Sequence, residues 1–173
     1  MQNTSNDEQT SWRTATAVYL QRKVITMIFL GFSAGLPYLL VFSTLSAWLS
    51  EAGVQRSAIG FFSWVGITFS IKVLWAPVID NLAIPWITKH LGPRRSWMLT
   101  AQFGLLLGLF SISTLEPETQ IWSLALLATF VAFCSATQDI CIDAYRIEAA
   151  ARELQAAMAA TYIFGYRLAL LAS

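Results

Sequence analysis

The chain has 173 residues, a one-domain length, of which 56% are apolar and only 12% charged. An ordinary soluble domain carries about 25% charged residues, so this composition excludes a disordered chain, a collagen-like repeat and a disulfide-rich secreted mini-protein. A net charge of +1 leaves no broad basic footprint for nucleic acid.

What remains is an all-α polytopic membrane protein, whose partner is the lipid bilayer. A hydrocarbon core about 30 Å thick takes ~20 mostly apolar helical residues to cross. Residues 1–23 form a polar N-terminal tail carrying Asp7 and Glu8. Residues 24–173 form the transmembrane part. Its first span, Val24–Leu49, is far longer than the roughly 7–15 apolar residues of a cleavable signal and reads as an uncleaved anchor. Four more spans follow at Ala58–Leu82, Ser96–Leu115, Ile121–Ile142 and Ala156–Ser173. Trp48, Trp97 and Trp122 fall at span ends, where amphipathic rings favour the headgroup level.

The connections predict the orientation. Arg13, Arg22, Lys23, Lys89, Arg94, Arg95, Arg146 and Arg152 fall on one side, and only Arg56 on the other. By the positive-inside rule the N-terminus is cytoplasmic. Cys134 and Cys141 lie on one predicted helix, ~10.5 Å apart along its axis, too far to bridge. They read as small buried apolar residues, with no metal-ligand spacing around them and no cofactor implied.

Ionisable residues inside a span each cost about 2.5–3.5 kcal/mol or more at its centre, so they mark function by default. The helical rise puts Lys72 ~15 Å and Arg167 ~16 Å from the cytoplasmic ends of their spans, a shared level near the midplane. Two cations there suit an anionic substrate; alternatively, each neutralises an acid such as Asp139 and locks the bundle. Asp139 and Asp143 are i,i+4 and stack on one helix face, with Ser135 a turn earlier and Arg146 roughly a turn later. Low dielectric and a second carboxylate both disfavour the charged form, which is the chemistry of a proton-coupling group. The alternative is a structural ion-pair ladder at a helix end.

Gly31–Gly35 and Gly104–Gly108 are G-x-x-x-G pairs that let helices approach closely, within the molecule or between copies. Pro37, without a backbone donor, is expected to bend the first span. Asp80 ends the second span, and Arg94 and Arg95 follow Gly92 just before the third. Acid and basic turn together suit a cytoplasmic charge latch that breaks when a carrier changes state. Plain positive-inside anchoring is the alternative for Arg95.

At these residues the chain resembles the AmpG muropeptide permeases of the major facilitator superfamily, as an N-terminal fragment. The resemblance rests on L-G-F-S-A-G-L-P-Y at 30–38, I-G-F-F-S-W-V-G at 59–66 and K-V-L-W-A-P-V-I-D at 72–80. It continues through L-G-P-R-R-S-W at 91–97, F-C-S-A-T-Q-D-I-C-I-D-A-Y-R at 133–146 and G-Y-R-L at 165–168. The superfamily's loop motif is only partly kept, since Ala76 takes its first glycine position.

The resemblance implies the first five helices of a facilitator's N-terminal half, in a bacterial inner membrane. It implies proton-coupled symport of N-acetylglucosaminyl-1,6-anhydro-N-acetylmuramyl peptides for peptidoglycan recycling and β-lactamase induction. The matching positions are Gln138 and Asp139, Lys72 and Asp80, and Gly31, Gly35 and Pro37. Asp139 and Asp143 are then the candidates for proton coupling, and Lys72, Arg167 and Gln138 for substrate contact.

A facilitator needs two six-helix halves around a midplane site. The chain reaches Ser173 within its fifth helix, so the completing helices are expected in a longer permease. Two other readings are a carrier of another bulky anion such as acetyl-CoA and an inactive truncation. An intramembrane enzyme with an Asp139–Asp143 dyad is disfavoured. No G-x-G-D occurs, and two side chains one turn apart stand parallel rather than facing each other across a substrate.

Overall fold

The computed structural model describes residues 16–149 and 151–173; most of the polar tail over 1–23, with Asp7, Glu8 and Arg13, lies outside the described residues. The bundle consists of α1 (Arg22–Glu51), α2 (Arg56–Leu74), α3 (Ala76–Asn81), α4 (Ile87–Leu91), α5 (Pro93–Ser113), α6 (Ile121–Ala149) and α7 (Arg152–Ala172). Of these, α1, α2, α5, α6 and α7 are long and apolar enough to cross a membrane. No strand occurs among the described residues. Helices close every backbone hydrogen bond within the segment, as hydrocarbon requires. Phe103, Leu106 and Phe110 on α5 stay more than half exposed. They form an apolar outer face that lipid, not water, would cover.

Two of the predicted spans differ from uniform helices, and proline accounts for where. Pro37 lies inside α1 and has no N–H for the Ser33 carbonyl; a π turn over Leu40–Thr44 follows. The run read as one helix over 58–82 is segmented. It tightens into 3-10 turns at Ser63–Gly66 and Lys72–Leu74, and α3 is a separate short helix. Pro77 cannot donate to the Val73 carbonyl and its ring crowds that carbonyl, so the ladder breaks just before it. The backbone sits near ψ 0 at Ile71 (ψ 4) and Trp75 (ψ −5), on either side of the tight turn that carries Lys72.

Small residues decide which helices touch. A Cβ on Gly31 would collide with the Tyr162 carbonyl of α7, and one on Gly165 with the Ile28 carbonyl of α1. One on Gly35 would lie 2.8 Å from the Tyr166 carbonyl. The parallel helices α1 and α7 therefore meet backbone to backbone, which hydrocarbon favours because packing, not water exclusion, drives association there. Gly104 and Gly108 instead make room on α5 for side chains of α6: a Cβ there would lie 2.6 Å from Cys134 Sγ and 2.5 Å from Val131 Cγ2. Both cysteines are buried and free.

Two apolar clusters fill the interior. One joins Leu45, Leu49, Phe62, Leu105, Leu124 and Val131; the other joins Val24, Met27, Ile79, Met98, Ile142 and Met158. Long α6 runs through both. Between them it carries Thr137 and Gln138, both buried. The polar belt therefore falls at mid-bundle, between two dry layers.

Candidate functional site: charges and a polar belt around α6

The belt starts at Ser33, one residue from the buried Ala34 on α1. Its hydroxyl accepts hydrogen bonds from Gln138 Nε2 at 2.9 Å and Gln102 Nε2 at 3.4 Å, tying α1, α6 and α5 together. Trp75 Nε1 donates to Thr137 Oγ1 at 3.2 Å and joins α6 to the α2–α3 break. Gln138 has no accessible surface. The candidate substrate contact therefore sits inside the α1–α6 interface in this conformation, because the residue next to Asp139 on a helix points about 100° away from it.

Asp139 faces α2. Lys72 Nζ lies 3.7 Å from Asp139 Oδ2, and the side chains keep 33% and 18% of their surface exposed. At that distance the pair attracts without a direct hydrogen bond. The other oxygen, Asp139 Oδ1, is buried and has no hydrogen-bond partner among the described residues, and the same is true of Gln138 Oε1. Tyr162 and Tyr166 of α7, half-buried against α1, have ring centroids 6.3 Å apart. Tyr38 on α1 packs with Phe42 and Phe69 at ring separations of 4.9 and 5.8 Å.

Asp143, one turn on from Asp139, has a counter-charge of its own. It pairs with Arg146 at 3.4 Å, i,i+3 on the same helix, while Asp139 pairs with Lys72. The expected carboxylate stack is thus resolved into two ion pairs a turn apart, because each acid has its own cation within reach. Arg167 is exposed on α7 and joins no ion pair among the described residues. It follows Tyr166, which is packed toward α1, so the helical turn carries Arg167 away from that contact.

At the C-terminal end of α6, just beyond Arg146, Arg94 bridges two acids. It donates to Asp80 and, at 2.9 Å, to Glu148 Oε1. Arg95 takes no part in this cluster; one residue on in α5, it is exposed and lines a separate cavity beside α1. Gly92, at φ 80, makes the arrangement possible by turning the chain from α4 into α5, a conformation glycine adopts without strain. Asp80 and Glu148 remain 45% and 56% exposed, so the cluster contributes about 1 kcal/mol at most. Arg94→Gln should lower thermal unfolding stability in detergent by about that much, and Arg94→Lys should not restore it, because lysine cannot fork between two carboxylates. A loss several times larger would mean the cluster is drier than its exposure implies.

Glu148, Tyr162, Tyr166, Ser33, Gln102 and Gly165 were not singled out by the sequence reading. The tyrosines had a signal: they are i,i+4, on a helix face shared with Gly165. Glu148 had none, since it lies past the predicted end of its span.

A family model described as acetyl-coenzyme A transporter 1 matches residues 23–171. The anhydromuropeptide permease of Escherichia coli (strain K12) is 39% identical over 156 residues, covering 90% of this chain and 31% of the permease. Putative transporter AmpG 4 of Rickettsia felis is 35% identical over 156 residues, 90% of this chain and 37% of that protein. Putative transporter AmpG 3 of Rickettsia typhi is 34% identical over 155 residues, 89% of this chain and 37% of that protein. The chain spans about a third of the length of these relatives. With homology to AmpG-type permeases over most of its length and the family model matched from residue 23 to residue 171, the chain belongs to the acetyl-coenzyme A transporter 1 family.

Proposed function

We propose that this chain is part of a proton-coupled carrier that imports anhydro-muropeptides across a bacterial inner membrane, for peptidoglycan recycling and β-lactamase induction. The observation that carries the reading is the Lys72–Asp139 pair. Two opposite charges lie within membrane-spanning helices, at the edge of a buried polar belt, in a chain 39% identical to an anhydromuropeptide permease. Deep charges of this kind mark substrate and ion pathways.

Asp139 has one oxygen held by Lys72 and the other unpartnered. A proton arriving on Oδ1 would neutralise the carboxylate and release Lys72 to meet a substrate carboxylate. Gln138 positions Asp139 through its bond to Ser33 rather than touching substrate. Arg167 is the second candidate for a substrate anion, and Asp143 is occupied by Arg146. The Asp80–Arg94–Glu148 cluster closes one end of the bundle in this conformation and opens in the other. The N-terminus, residues 1–23 and the basic connections face the cytoplasm, and residues 24–173 form part of the transmembrane domain of a longer permease.

A second reading, acetyl-CoA as substrate, is favoured by the description of the matching family model. Uptake of labelled anhydro-muropeptide by cells bearing the full-length carrier separates the two. Uptake should collapse with a protonophore and resist excess acetyl-CoA. No labelled muropeptide uptake above cells lacking the carrier, with uptake of labelled acetyl-CoA in its place, overturns the muropeptide assignment.

A further inference from the structure

A cavity of about 690 Å³ lies between the first turns of α1 and α5, beside the end of α6. Arg22, Lys23 and Arg95 line it together with the apolar Leu30, Met98 and Leu99. No acidic residue lines it. Arg22 and Arg95 form no ion pair among the described residues, and Lys23 reaches only a neutral acceptor, the Ala149 carbonyl, at 2.5 Å. Asp80 and Glu148, near this end of α6, both bind Arg94.

The charge is reinforced by the backbone. Helices α1 and α5 both begin beside the cavity, with no side-chain cap on either, so the positive ends of two helix dipoles lie near it. The depth is graded as well. Leu30 lies eight residues beyond Arg22, about 12 Å further into the hydrocarbon by the helical rise. A soluble anion has no use for the apolar lower part, and a neutral apolar molecule has none for the cationic mouth.

We propose that this cavity is a binding site for an anionic phospholipid. The phosphate sits among Arg22, Lys23 and Arg95, and the first segment of an acyl chain runs along Leu30, Met98 and Leu99. Basic pockets between membrane helices at the headgroup level bind lipids in this way. The site is separate from the Lys72–Asp139 pair and does not depend on the transported substrate.

Native mass spectrometry of the protein purified in detergent tests it, with phosphatidylglycerol and phosphatidylcholine of matched chains. Wild-type protein should retain phosphatidylglycerol about fivefold or more over phosphatidylcholine, and Arg22→Gln or Arg95→Gln should each lower that retention about fivefold. Arg95→Lys should retain the lipid, and Arg56→Gln, on the opposite side of the bundle, should change nothing. Equal retention of the two lipids by wild-type protein overturns the proposal without recourse to any variant. Displacement of phosphatidylglycerol by excess inorganic phosphate would make the site one for a soluble anion and equally overturn it.

Discussion

Asp139→Asn should abolish gradient-driven accumulation in the full-length carrier while leaving its amount in the membrane unchanged. Asparagine keeps the shape and one acceptor oxygen of the carboxylate but can neither hold a proton nor neutralise Lys72. Exchange of substrate down its own gradient needs no proton and should persist. The variant also strands Lys72, and an isolated charge at span centre costs about 2.5–3.5 kcal/mol, less here because a third of the lysine side chain is exposed.

A double-mutant cycle separates coupling from bundle-locking. Lys72→Met alone and Asp139→Asn alone should each destabilise, whereas the double variant, with both charges gone, should recover most of the stability. If the pair only locks the helices, transport recovers together with stability in the double variant. If Asp139 carries the proton, stability returns and accumulation does not. Wild-type accumulation in Asp139→Asn would remove this residue from the coupling path.

Gly165→Leu should produce the largest loss of stability of any single change in the bundle. A Cβ there meets the backbone carbonyl of Ile28, which cannot swing aside as a side chain can. The helices must separate, and overpacking of this kind costs about 3 kcal/mol or more. Gly31→Leu should behave alike, since its Cβ meets the Tyr162 carbonyl. Gly60→Ala is the control. Nothing lies within 4 Å of a Cβ at that helical position, so alanine should be neutral or gain up to about 1 kcal/mol from helix propensity. Unfolding in mixed micelles, followed by far-UV circular dichroism, measures all three. Equal effects at Gly165 and Gly60 would show that α1 and α7 are not held by close approach.

Sequence alone pointed to five spans, because a hydrocarbon slab imposes a minimum apolar length that 56% apolar composition makes visible. It also picked out Lys72, Asp139 and Arg94, because a charge within or at the end of an apolar run is conspicuous wherever the run folds. The partners were another matter. Pairing depends on the rotation of each helix and on which helices touch, and neither is encoded in a hydropathy pattern. Helical spacing stacked Asp139 on Asp143 and left open whether Lys72 or Arg167 neutralises it; the tight turn before Pro77 brings Lys72, and not Arg167, within 3.7 Å. Arg94 and Arg95 were equivalent as letters, yet one residue of rotation sends Arg94 to Asp80 and Glu148 and Arg95 to the cationic cavity. Gln138 was adjacent to a candidate coupling acid, but the close approach of α1 to α6 seals it against Ser33. What only the tertiary structure decided was therefore the phase of each helix, and with it which charges neutralise one another and which stay open to a ligand.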